Sequence, residues 1–211
     1  MKNKLIFFDA VGTLIYPDPP VIDTYKEIGE KFGYDLAAEV VSSRFMHAHK
    51  KHFNSDTDCV SNEELEKTRW KNVVDEIFNS ESNPELFNEL WNHFAKPEHW
   101  SIYEDTSALL LKLHKQGYYV GVASNFDNRL INIFHKHFPY LDTKNIFYSS
   151  QLGYSKPNLK FYETIVKKIN NEKNIFYMVG DDETNDIKAA KKAGWVAIHK
   201  NEINKLHTEL A

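Results

Sequence analysis

Apolar positions follow two different rhythms along this chain. Near the start and beyond residue 117 they form short, dense runs: Lys4–Ala10, Tyr118–Ser124, Ile146–Ser149, Ile175–Val179 and Val196–His199. Runs of this length, rich in β-branched and aromatic residues and mostly unbroken, predict strands covered on both faces. Between them apolar residues recur every three or four positions, which predicts helices over 105–116, 128–137, 157–169 and 184–193. Gly117 and Gly194 stand where a helix end favours a left-handed residue. Pro157 stands where a first helical turn accepts proline. Strands alternating with helices predict a doubly wound, Rossmann-like parallel sheet, an α/β fold.

The helical rhythm alone governs 16–100. Tyr25, Ile28 and Phe32 mark one helix, and Val40, Val41, Phe45 and Ala48 a second. Trp70, Val73, Val74 and Ile77 mark a third, and Leu86, Leu90, Trp91 and Phe94 a fourth. Asn83-Pro84-Glu85 is a start signal for the last of these. The chain therefore divides into an α/β core, 1–15 and 101–211, and a helical insertion, 16–100, with no strand expected inside it. Pro17–Pro20 and Lys96–Trp100 are the expected hinges.

Composition narrows the setting. At 211 residues and 42% apolar content the chain can bury a sizeable core. A net charge of −4 gives no electrostatic reason to bind nucleic acid or an anionic membrane. No apolar run reaches transmembrane length, and the first one, broken at Asp9, is too short for a signal peptide. The single cysteine, Cys59, forms no intrachain disulfide and suits a reducing compartment, which makes the cytoplasm the expected location. A monomer or a homodimer is compatible with these features.

Candidate chemistry gathers at the ends of the predicted strands. These are Asp9-Ala10-Val11-Gly12-Thr13, Ser124-Asn125, Lys156 in Tyr154-Ser155-Lys156-Pro157-Asn158, and Gly180-Asp181-Asp182-Glu183-Thr184-Asn185-Asp186. A parallel sheet brings such ends to one edge. The set supplies a carboxylate nucleophile, hydroxyl and amide donors, a cation and acidic metal ligands, the parts needed to move a phosphoryl group. Mg²⁺ suits an oxygen-rich site that shares the ion with phosphate and water.

The four motifs, in this order and with helices between the first and second, resemble the haloacid dehalogenase (HAD) superfamily of hydrolases, across essentially the whole chain. The Asp-Ala-Val-Gly-Thr start resembles a subgroup with apolar residues at this point. The resemblance implies a helical cap over 16–100. It implies that Asp9 is the nucleophile and forms an aspartyl phosphate, that Ser124 and Asn125 hold a phosphoryl oxygen, and that Gly12 and Thr13 join them and Lys156 in binding substrate. Lys156 would stabilise nucleophile and intermediate. Mg²⁺ would be held by Asp9, Asp181 and the backbone carbonyl of Val11, with Asp182 and Asp186 behind them.

One position departs from the family's phosphatases, which carry a second Asp two residues after the nucleophile. That Asp protonates the leaving group and later deprotonates water, worth about 10²–10⁴-fold in rate. Val11 can do neither. A phosphatase for a small phosphorylated metabolite with impaired general acid–base help is the leading expectation. A weak or inactive phospho-ligand-binding protein, dehalogenation and phosphonate hydrolysis are the alternatives. His47, His49 and His52, at i, i+2 and i+5, do not share one helix face and are expected on the surface or partly packed. One of them reaching the active site from the cap is the minor expectation.

Overall fold

The computed structural model describes residues 3–53, 59–79, 83–170 and 174–210. The apolar runs form a parallel sheet of β1 (Lys4–Phe8), β4 (Tyr119–Ser124), β5 (Ile146–Tyr148), β6 (Ile175–Gly180) and β7 (Val196–His199), ordered β5-β4-β1-β6-β7. Alternation within β1 explains why its sequence is continuously apolar. Ile6 and Phe8 enter one buried cluster, with α5 (Glu104–Lys115) and α6 (Arg129–His137). Leu5 and Phe7 enter another, with α8 (Leu159–Ile169) and α9 (Ala189–Lys192). Both faces are covered, so no polar stripe is left to write in the strand.

The chain builds outward from β1 through β4 to β5, then returns to the far side of β1 for β6 and β7. That reversal places the topological switch between β1 and β6, where a crevice opens beyond the strands' carboxyl ends. Asp9 follows β1 and Asp181 follows β6, so connectivity alone brings the two carboxylates to the crevice.

The insertion contains α1 (Val21–Lys31), α2 (Ala38–Phe53), α3 (Glu63–Phe78) and α4 (Pro84–His93) around its own buried cluster. Asn62 and Asn83 cap α3 and α4, accepting from the backbone N–H groups of Leu65 and Leu86. Val41 is fully buried while its neighbour Val40 faces outward. Among the described residues no helix is long and apolar enough to cross a membrane.

Four local expectations are corrected. The expected hinges are tied together: β2 (Ile15–Pro17) pairs antiparallel with β3 (Trp100–Ile102), a short strand pair where none was expected. Three-residue strands are too short to show a period. Pro157 is not in a first helical turn, because α8 begins at Leu159 with the Asn158 side chain accepting from the Lys160 N–H. The predicted helix over 184–193 opens with one π-helical turn, Glu183–Lys188, before α9. Ser149 begins α7 (Ser149–Leu152) rather than ending β5.

Candidate active site

Lys156 organises the crevice. Its ammonium donates to Asp9 Oδ1 at 2.7 Å, to Asp186 Oδ1 at 2.6 Å and to the Ala123 carbonyl at 3.0 Å. All three charged side chains are buried, Asp186 almost completely. Desolvation pulls against the charged lysine, but the Asp186 and Asp9 carboxylates overcome it and hold the ammonium protonated well above its ordinary range. Burial pushes the Asp9 carboxyl up to about 7, with the Asp186 and Asp181 charges adding to the rise and Lys156 opposing it.

Each charge has a dedicated support. Gly180 lets Asp186 close onto the strand end, since a Cβ there would lie 2.3 Å from the Asp186 carboxylate. Asp186 Oδ2 then accepts from the Asp182 N–H at 3.1 Å. Asp182 caps the π-helical turn, accepting from the Thr184 and Asn185 N–H groups at 2.7 and 2.8 Å. On the other side of the crevice Gly12 has φ +90, and a Cβ there would stand 2.4 Å from an Asp181 oxygen. Thr13 Oγ1 donates to Asp181 Oδ1 at 3.0 Å. The Asp181 carbonyl meets His199 Nε2 at 3.0 Å.

Gly12, Thr13 and Asn125 make supporting contacts of their own within the site. All three were expected to bind substrate. Gly12 turns the chain behind Asp181, and Thr13, fully buried, braces that carboxylate instead of lining the cavity. Asn125 does line the cavity, but its side chain is committed to Lys156: Nδ2 donates to the Lys156 carbonyl at 2.9 Å and Oδ1 accepts its N–H at 2.7 Å. It therefore fixes the loop that delivers the lysine.

A cavity of about 250 Å³ opens over this centre, lined by Asp9, Val11, Ser124, Lys156, Asp181 and Asp186 from the core. The insertion contributes His49 from α2 and Glu66, Arg69 and Trp70 from α3. His49 stacks on Phe53 with ring centroids 4.8 Å apart, and desolvation lowers its pKa. Of the three histidines considered from sequence, His49 is the one on this cavity. Glu66, Arg69 and Asp127 escaped the sequence reading, because neither a charged residue on an amphipathic helix, as Glu66 and Arg69 are on α3, nor one in the loop after a strand, as Asp127 is after β4, gives any sign of facing a cleft. Asp127 is buried and paired at both oxygens with Arg129, at 2.8 and 2.7 Å. The Arg129 guanidinium in turn lies 3.5 Å over the Trp91 ring of α4.

The donor set fits a hard divalent cation. Asp9, Asp181 and Asp186 can each present an oxygen within 4.8 Å of the others. Three carboxylates around one ammonium leave excess negative charge, which a small oxygen-seeking cation offsets.

The haloacid dehalogenase-like hydrolase family matches residues 3–194. The chain belongs to that family. Among HAD relatives, haloacid dehalogenase-like hydrolase domain-containing protein 3 of Bos taurus is 24% identical, over 92% of this chain and 80% of the relative. Glyceraldehyde 3-phosphate phosphatase of Methanothermobacter thermautotrophicus is 25% identical, over 94% of this chain and 85% of the relative. The HAD-hydrolase YfnB of Bacillus subtilis, crystallised bound to magnesium, superposes with a TM-score of 0.71 at 15% identity, over 100% and 99% of the two chains. This last likeness is one of fold.

Proposed function

We propose that this HAD-family hydrolase is a Mg²⁺-dependent phosphatase acting on a small phosphorylated metabolite through an aspartyl phosphate on Asp9. The observation that carries the reading is the buried Asp9–Lys156–Asp186 arrangement at the switch-point crevice, with Asp181 facing it. Lys156 holds Asp9 Oδ1, which supports attack through Oδ2. The Oδ2–phosphorus bond forms as the bond from phosphorus to the leaving oxygen breaks, and that oxygen keeps the electron pair. Lys156 offsets charge on Asp9 and on the transferring group, and Ser124 lines the space where phosphoryl oxygens would sit. Water then attacks phosphorus and releases Asp9 with inorganic phosphate. Mg²⁺ bound by Asp9, Asp181 and the Val11 carbonyl would offset negative charge on the phosphoryl oxygens. The insertion acts as a cap that excludes bulk water from the first step.

Val11 supplies no proton to the leaving oxygen. The site therefore favours substrates whose leaving group departs as an anion, such as acyl or aryl phosphates. The test is Mg²⁺-dependent hydrolysis of acetyl phosphate and of an activated aryl phosphate, with Asp9→Asn as control. Turnover that needs both Mg²⁺ and Asp9 is the expected result. No turnover while a phosphate analogue still binds would overturn it in favour of a phospho-ligand-binding protein, the reading that the apolar side chain at Val11 also favours.

A further inference from the structure

A second cavity, of about 340 Å³, adjoins the catalytic one between the insertion and the core. Val11, His49, Trp70, Asn125 and Phe126 line both, so the two are compartments of one cleft. The character changes sharply across that boundary. The second compartment is walled by Tyr25, Phe45, Phe87, Leu90, Trp91 and Trp100.

Its polar atoms are mostly committed elsewhere. Arg129 spends its Nε and one terminal nitrogen on Asp127 and its face on Trp91. The Asn125 amide is held by the Lys156 backbone. His49 lies stacked against Phe45 and Phe53, at 5.8 and 4.8 Å. A polyhydroxylated body placed here would lose water from its hydroxyls with few partners in return. An apolar ring would bury its surface against aromatic walls. A cavity of roughly 150 Å³ already holds benzene, and this one is more than twice that size.

We propose that this compartment holds the apolar, aromatic-sized body of a phosphorylated ligand whose leaving oxygen is a carboxylate or phenolate. The proposal rests on the phosphatase reading for its chemistry, while the compartment supplies the substrate class. Val11 joins the two arguments, because this apolar residue lines both compartments at the position where the resemblance would put a general acid.

The test compares benzoyl phosphate with acetyl phosphate, both of which leave as carboxylates. In the wild-type protein with Mg²⁺, kcat/KM should favour benzoyl phosphate by at least about 30-fold. Val21→Trp, which fills the compartment from the half-exposed start of α1, should cut that ratio below about threefold. Equal turnover of the two acyl phosphates would overturn the proposal and leave the phosphatase reading standing. If neither is hydrolysed, the phosphatase reading fails and binding decides the compartment. Phenylphosphonate should then quench tryptophan fluorescence with at least tenfold higher affinity than methylphosphonate, and equal affinity would overturn the proposal. Activity of Val21→Trp on acetyl phosphate and an unchanged thermal midpoint show that the variant is folded.

Discussion

Replacing Lys156 by methionine tests the electrostatics of the centre without reference to any substrate. The substitution keeps an unbranched side chain and removes an ammonium held by two buried carboxylates. Breaking a buried ion pair by deleting one partner costs about 3–5 kcal/mol. Here the cost depends on pH, and the sign follows from Asp9. Its folded pKa, about 7, lies above the ordinary 3.8. Asp9 therefore contributes stability that is fully present below 3.8 and is lost as pH rises through 7. In Lys156→Met the lowering influence of the lysine is gone, so the Asp9 pKa rises and the loss continues beyond pH 7. Each further unit costs about 1.4 kcal/mol. A penalty of about 2 kcal/mol at pH 5.5, where Asp9 is protonated in both proteins, should grow to about 4 kcal/mol at pH 8.5. Urea unfolding in chelator at the two pH values measures this directly. Asp9→Asn added to Lys156→Met should recover most of the pH-dependent part. A penalty of the same size at both pH values would refute the reasoning.

Three other outcomes are expected. Val11→Asp should raise turnover of alkyl phosphates by about 10²-fold or more, and no gain in a folded, Mg²⁺-binding variant would count against the phosphatase reading. Gly12→Ala should weaken Mg²⁺ binding about tenfold by calorimetry and lower stability by about 1–2 kcal/mol, since a left-handed backbone and the Asp181 carboxylate both resist a Cβ. His93 stacks 3.7 Å from His99, and burial with that neighbour lowers its pKa from 6.5 to about 4. Stability from neutral His93 is present above 6.5 and lost as pH falls toward 4, by about 1–2 kcal/mol after solvent screening. In His93→Asn that acid loss should shrink, as melting curves between pH 7 and 5 would show.

The presence of the five sheet strands was legible because a strand buried on both faces, as β1 is, writes that burial into one unbroken apolar run; their exact ends were not, as Ser149 shows by opening α7. Asp9, Lys156, Asp181 and Asp186 were legible for a related reason. Asp9 and Asp181 follow such runs, Lys156 precedes a helix and Asp186 stands at the start of one, and parallel topology leaves one edge for them to meet. The division of labour among their neighbours was not written in residue type. A threonine or an asparagine beside a phosphoryl site reads as a substrate ligand. What residue type did not announce is that the Thr13 side chain also braces Asp181 and that of Asn125 the Lys156 loop. That bracing depends on the backbone path, which at Gly12 turns Thr13 behind the carboxylate. Ile15–Pro17 and Trp100–Ile102 were too short to declare themselves strands. The apolar compartment was hidden more thoroughly. Tyr25, Phe45, Leu90 and Trp91 have the spacing of helix core, and lining a cavity beside a core leaves the same trace in sequence.

Val11 shows how one side chain shapes two properties of the site together. In the proposed reaction its lack of a dissociable proton would raise the barrier for any leaving oxygen that must depart protonated. Its apolar surface extends the wall of the adjoining compartment down to the catalytic floor. A carboxylate there would serve acid catalysis but place a charge at the mouth of an aromatic-lined space, with a desolvation cost of its own. Under the proposed function the two effects would select the same substrates. A phenolate or carboxylate needs no proton to leave, and the ring behind it needs apolar surface. Val11→Asp should therefore do two things in one protein: raise turnover of alkyl phosphates and lower the benzoyl-over-acetyl preference. If the alkyl phosphates gain and that preference stays unchanged, the acid and the wall are separate properties and the link drawn through Val11 is wrong.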